Sequence, residues 1–276
     1  MQKAISYLRR VAPRWLIDAV GRPMRDVTAA AAAPFMDELE RLGVKYASDK
    51  YAHGYLPHYA RHFAGRRHRV KTILEIGVGG FEDPTKGGDS LRMWEQYFPN
   101  AQIHGIDIHD KTAHDTDRIT THLGGQDDPE FLRALIEKIG TPDIIIDDGS
   151  HLNEHILISF EALFPLLARD GIYAIEDMQT AYLYSYGGSC RTLNSPKLST
   201  GFLKTLVDVV NWKSIPDRQS SPHDGEITGI SVYPKLCFIE KGDNNLVLSG
   251  GEISMMETAL KRENEMGSRH ADEPAA

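Results

Sequence analysis

Between Val70 and Asp177 the chain alternates short apolar runs with helical stretches: "KTILEIGVGG", "SLRMWEQYF", "AQIHGIDI", "PEFLRALIEKI", "DIIIDD", "NEHILISFEALFPLL" and "GIYAIED". The apolar runs are rich in Ile and Val and lack polar alternation, so each reads as a strand buried on both faces. Such strands separated by helices predict a doubly wound, mostly parallel α/β sheet of the Rossmann-like class. Ligands of these sheets bind at the carboxyl ends of the strands. Two later runs, "ITGISVYP" and "KLCFIEKGD", meet at Pro234 and predict an antiparallel hairpin at the C-terminal sheet edge.

A length of 276 residues suits one large domain with an appendage. We divide it into a helical N-terminal arm and pre-core segment over 1–69, a catalytic domain over 70–250, and a polar tail over 251–276 that is expected to be disordered. Pro34, after the alanine run "TAAAAAP", is expected to start a helix through "FMDELERLGV". A Tyr-, Gly- and Ser-rich stretch over 178–200 reads as a loop that covers a site, with Tyr182, Tyr184 and Tyr186 placed to stack on sugar faces or to pack on the surface. Net charge is −8 and the basic residues are scattered, which argues against a nucleic-acid partner. The only cysteines, Cys190 and Cys237, make no disulfide framework and fit a reducing cytosol. No apolar run reaches the roughly 18 residues of a membrane span, and Arg9, Arg10 and Arg14 interrupt the N-terminus too early for a signal peptide. The basic amphipathic segment "YLRRVAPRWLIDAVGR" could lie on a membrane surface, but the expectation is a surface helix or a contact with a second copy of the chain.

The strand ends carry the chemistry. The first strand leaves through "EIGVGG", where Gly77, Gly79 and Gly80 let the backbone turn and approach a ligand closely. The third glycine of a dinucleotide fingerprint is missing, and the polar loop "FEDPTKGGD" delays the helix. Asp107, ending the second strand, can accept bonds from both hydroxyls of a ribose, a role shared by NAD and S-adenosylmethionine. Gln126 and Asp127 either read an adenine edge or form a polar turn ahead of a helix capped by Asp128. Glu75, polar at the end of an apolar strand, favours a cationic ligand group such as the methionine ammonium of S-adenosylmethionine.

Two further strands, "IIIDDGSH" and "GIYAIEDM", stop at the pairs Asp147-Asp148 and Glu176-Asp177. Four neighbouring carboxylates raise one another's pKa unless a cation lies among them. Hard oxygen donors without cysteine suit Mg²⁺ or Mn²⁺, with Ca²⁺ as a further option. The simpler reading is that Asp147 and Asp148 cap the next helix. "HLNEH" matches an inverted zinc-peptidase pattern, but directly after a strand His151 belongs at the helix start, and His155 reads as a helix-surface residue.

In this order, "LEIGVGG", "GIDIHD", "IIDDGSH" and "AIEDMQTAY" resemble the metal-dependent sugar O-methyltransferases of actinobacteria, which include macrolide deoxysugar enzymes of the mycinamicin type and mycobacterial mannose oligosaccharide enzymes. The preceding "SDKYAHGYLPHYARHF" is similar to the segment before the core in that family. The resemblance implies a class I S-adenosylmethionine-dependent methyltransferase. It implies Mg²⁺ or Mn²⁺ on Asp148, Glu176 and Asp177, and His151 as general base. It places Glu75, Gly77, Asp107 and Asp127 around S-adenosylmethionine, and we assign Gly79, Gln126 and Asp147 to the same site. The acceptor implied is a small glycoside or oligosaccharide of polysaccharide or antibiotic biosynthesis. The alternatives are a nicotinamide-dependent oxidoreductase and a non-catalytic nucleotide-binding module.

Overall fold

A computed structural model describes residues 36–245 and 247–271. The expected arm lies mostly outside the described residues, as does the expected helix start at Pro34. The first described helix, α1 (Glu38–Lys45), begins where Asp37 caps it: the Asp37 carboxylate accepts from the Glu40 amide at 2.8 Å, and Glu40 accepts from the Asp37 amide at 3.1 Å. Two short helices follow, α2 (Asp49–His53) and α3 (Leu56–Phe63).

The sheet then forms as the apolar runs predict. Its strands are β1 (Thr72–Ile76), β2 (Gln102–Asp107), β3 (Ile119–Leu123), β4 (Ile144–Asp147), β5 (Ile172–Ile175), β6 (Ile227–Tyr233) and β7 (Leu236–Lys241). They lie in the order β3-β2-β1-β4-β5-β7-β6, parallel from β3 to β5, with β7 antiparallel to both β5 and β6. The interleaved helices are α4 (Asp89–Tyr97), α5 (Pro129–Ile139), α6 (Asn153–Leu163) and α7 (Ser199–Val210). Asp128 caps α5 as expected, accepting from the Glu130 and Phe131 amides.

Strand alternation divides the core into two layers. One face of the sheet presents Ile73, Ile144, Ile146, Ile172 and Ala174 to Leu39, Leu56, Tyr59, Phe63 and Trp94 of α1, α3 and α4. The other presents Leu74, Ile76, Ile145, Tyr173 and Ile175 to residues of α5, α6 and α7, such as Leu132, Phe160 and Leu206. Tyr59, Phe63, Trp94 and Phe238 meet with ring centroids 5.1–6.2 Å apart, which anchors the pre-core helices to the sheet.

The tail departs from expectation. Instead of disorder after residue 250, a helix α8 (Gly250–Ala271) continues through the polar segment. Ser249 and Glu252 close a capping box at its start, and Glu, Lys, Met and Ala are strong helix formers even without an apolar stripe. Among the described residues no helix is long and apolar enough to cross a membrane.

Candidate active site

Register and alternation together assemble the acidic cluster. Asp147 pairs with Ile76 on one side and with Ile175 on the other, so Asp148 and Glu176 leave their strands at the same level. Residues two apart share a face. Glu75, Asp148 and Glu176 therefore project toward the pre-core helices, on the face of Ile73, Ile146 and Ala174. Asp147 projects the other way. It is buried, accepts from Ser159 Oγ at 2.6 Å and Gln126 Nε2 at 3.1 Å, and does not line the cleft, so its assignment to the cofactor is corrected by the period of two. Neither Asp147 nor Asp148 caps α6.

The pre-core segment meets these carboxylates with three donors that the sequence did not single out. Lys50, fully buried on α2, places Nζ 2.6 Å from Asp148 Oδ2, 2.7 Å from Glu176 Oε1 and 3.0 Å from Glu75 Oε1. Tyr59 donates to the same Glu176 Oε1 at 2.5 Å, and Tyr55 donates to Asp177 Oδ1 at 2.6 Å. The cation expected among the acidic residues is thus partly supplied by the chain itself, and Glu75 faces that lysine rather than the cleft. Burial alone would lower the Lys50 pKa, but Asp148, Glu176 and Glu75 outweigh it and hold the ammonium well above the ordinary lysine range. Burial, then the charge of Asp148, push Glu176 well above the usual carboxylate range, with Lys50 opposing. Asp148 is raised chiefly by burial, whereas at Asp177 the bond from Tyr55 and further donors overcome burial and hold the carboxyl below its ordinary value.

His151 stands over this cluster. Its backbone is left-handed, with φ 57°, and α6 begins only at Asn153, so His151 and His155 do not share a helix face as a zinc peptidase would need. Nε2 lies 3.6 Å from Asp177 Oδ2 and 4.0 Å from Asp148 Oδ1. Asp148, His151 and Asp177 each offer a ligand atom within 4.8 Å of the others. Glu176 stands outside that trio: it is buried, its Oε1 is bound by Lys50 and Tyr59, and it does not line the cleft. The hard carboxylate oxygens of Asp148 and Asp177 fit a divalent cation, His151 Nε2 stands beside them as a free base, and the buried Nδ1 of His151 has no partner among the described residues. His155 lines the same cleft but stands away from the acidic trio, with Nδ1 3.0 Å from Ser150 Oγ and Nε2 3.8 Å from Asp127 Oδ2.

The acidic cluster opens into a cleft of about 730 Å³ whose lining includes Gly77, Gly79, Asp107, Gln126 and Asp127 as well as Asp148, His151 and Asp177. Gly77 has φ 93°, and a Cβ there would collide with the Asp148 carbonyl oxygen, so β1 and β4 can approach only at a glycine. Asp107 accepts from the Val78 and His109 amides at 3.1 and 2.9 Å, which aims the carboxylate at the cleft mouth. Gln126 reaches the cleft, but its amide is engaged: Nε2 donates to Asp147 and Oε1 accepts from the Ser150 amide at 2.6 Å. The loop after β1 is held from below by Lys111, buried, with Nζ 2.7 and 2.8 Å from the Phe81 and Asp83 carbonyls and 3.3 Å from that of Lys86.

The stretch expected to cover the site is pinned. Met178–Tyr182 and Tyr184–Tyr186 are short 3₁₀ turns, and buried Asn153 donates to the Tyr186 carbonyl at 2.9 Å while accepting from the Ser199 amide at 2.8 Å. Tyr184 is 95% exposed, Tyr182 is 44% exposed and Tyr186 is half-buried, so the first two offer open aromatic faces.

No protein-family model matches the chain. Over 213 residues it is 44% identical to mycinamicin VI 2''-O-methyltransferase of Micromonospora griseorubida, covering 75% of this chain and 53% of that protein. Over 221 residues it is 41% identical to 8-demethyl-8-alpha-L-rhamnosyl tetracenomycin-C 2'-O-methyltransferase of Streptomyces olivaceus, covering 79% and 58%. The MycE methyltransferase of the mycinamycin biosynthetic pathway, solved in complex with Mg and SAH, superposes with a TM-score of 0.73 at 43% identity, over 76% of this chain and 55% of that one. A second MycE structure, which also contains mycinamycin VI, gives 0.72 at 41% identity, over 78% and 57%. The chain spans about half the length of the curated relatives it matches. Over the matched region it is a homologue of actinobacterial sugar O-methyltransferases and has the class I methyltransferase fold.

Proposed function

We propose that this chain, homologous over most of its described length to actinobacterial sugar O-methyltransferases, is itself a divalent-metal-dependent enzyme that transfers the methyl group of S-adenosylmethionine to a sugar hydroxyl of a glycoside or oligosaccharide. The observation that carries the proposal is the shared cleft: the glycine loop, Asp107, Asp148, His151 and Asp177 all line it. A donor held by the glycine loop and Asp107 shares that cleft with an acceptor held at the acidic residues.

In this reading Gly77, Gly79, Asp107 and Asp127 cradle the donor, with Asp107 on the ribose. Asp148, Asp177 and the second oxygen of Glu176 hold Mg²⁺ or Mn²⁺, which supplies a Lewis acid that lowers the pKa of a chelated hydroxyl. His151 Nε2, beside Asp148 and Asp177, takes the proton of that hydroxyl. The acceptor oxygen then forms a bond to the donor methyl in line as the sulfonium S–CH₃ bond breaks and its electron pair returns to sulfur, leaving S-adenosylhomocysteine and the methyl ether. The walls of the cleft hold both reactants in near-attack geometry. Tyr182 and Tyr184 stack on the acceptor. The oxidoreductase alternative is not favoured, since the loop after β1 lacks the third glycine and the acidic cluster has no role in hydride transfer.

Incubation with methyl-labelled S-adenosylmethionine, Mg²⁺ and a panel of glycosides carrying vicinal hydroxyls is expected to give a labelled methyl ether with at least one acceptor. Donor binding without transfer to any glycoside, or hydride transfer from a nicotinamide, would reject the proposal.

A further inference from the structure

The three carboxylates proposed to hold the metal share one feature. Each has one oxygen bonded by a donor from residues 50–59, and the other turned elsewhere. Asp148 gives Oδ2 to Lys50, while Oδ1 is the oxygen nearer His151. Asp177 gives Oδ1 to Tyr55, while Oδ2 is the oxygen nearer His151. Glu176 gives Oε1 to both Lys50 and Tyr59. A carboxylate rotates about its last bond, and an unbound one can offer a cation either oxygen or both, so fixing one oxygen selects the other.

We infer that Lys50, Tyr55 and Tyr59 form an orienting shell, through which the pre-core helices α2 and α3 select the oxygen that each carboxylate offers to the metal. The inference deepens the function proposed above and rests on its metal site. Two further observations support a shell over a chance contact. The three donors come from ten consecutive residues yet reach the ends of β1, β4 and β5, and each is almost completely buried. Tyr55 and Tyr59 lie four apart with their ring bodies in the apolar core, so their hydroxyls are aimed by packing before any ligand arrives. Lys50 also carries one positive charge into the cluster permanently, so the carboxylates that must approach a cation are held in place without it.

The test is Mn²⁺ titration of the full chain, without donor or acceptor, followed by calorimetry or electron paramagnetic resonance. Tyr55→Phe removes one hydroxyl beside the partly exposed Asp177 and leaves Lys50 in place. We expect about a tenfold or greater loss of Mn²⁺ affinity, the usual cost of removing an outer-shell partner. S-adenosylhomocysteine affinity should stay within about twofold, which separates orientation from a general loss of structure. Tyr59→Phe should lose less, because Lys50 still holds Glu176 Oε1. Lys50→Met leaves three buried carboxylates without their cation and is expected to lower the melting temperature of the metal-free protein more than either tyrosine variant does. Mn²⁺ affinity of Tyr55→Phe equal to wild type overturns the orienting shell while the proposed function stands. If the wild type itself binds no Mn²⁺, the proposed metal site and the shell built on it both fall.

Discussion

His151 is the residue on which the proposed chemistry turns. It sits between strand and helix in a left-handed backbone that a histidine adopts only when its surroundings hold it there, and strain of this kind gathers at functional sites. A base acts on the transition state more than on bound ground states. His151→Ala is therefore expected to lose about 10²- to 10⁴-fold in kcat, measured with labelled donor, while S-adenosylhomocysteine binding persists. His155→Ala, altering a side chain that rests on Ser150 and Asp127, should keep turnover near wild type. The opposite ranking would move the base to His155. Much of this was legible in the sequence, because paired acids after apolar runs and a histidine three residues on are local patterns. The donors that meet those acids were not. Lys50 lies 98 and 126 residues from its partners, and nothing near "SDKY" shows that its ammonium is buried. Tyr55 and Tyr59 gave a partial signal, since buried tyrosines four apart need acceptors for their hydroxyls. Asp147 misled because its neighbour shares its chemistry, whereas the alternation of β4 sends the two to opposite faces.

Among the elements, the loop between β1 and α4 shows how a glycine-rich turn is made firm. Glycines at 77, 79, 80, 87 and 88 all have positive φ, which gives a sharp path but little intrinsic rigidity. Rigidity comes from Lys111, whose ammonium binds three carbonyls of the loop, and from Arg92, which donates to the Gly87 carbonyl at 3.1 Å. Lys111→Met should free those carbonyls and loosen the donor end of the cleft. Calorimetry with S-adenosylhomocysteine is expected to show roughly tenfold weaker binding, in keeping with about 1.5 kcal/mol for lost charged hydrogen bonds. An unchanged dissociation constant in the folded variant would mean that the loop keeps its shape unaided. Strands were legible because Ile-rich runs have few alternatives. The final helix departs from the disorder its polar composition predicts, because the box formed by Ser249 and Glu252 satisfies its first amides.

For the whole molecule, the topology explains why donor and metal chemistry share a cleft. The parallel strands β3, β2, β1, β4 and β5 all end on the same edge, so a glycine turn, a ribose acceptor and an acidic cluster carried by different strands converge there. The pre-core helices close the acidic side, and the pinned turns over 178–186 leave Tyr182 and Tyr184 exposed. The central claim is that the acidic end serves methyl transfer through a divalent cation, and chelation tests it most directly. With an accepted glycoside and saturating S-adenosylmethionine, excess chelator is expected to abolish methyl transfer, Mg²⁺ or Mn²⁺ to restore it, and S-adenosylhomocysteine to remain bound throughout. Undiminished transfer in excess chelator, with no metal detected in the protein, would contradict the account.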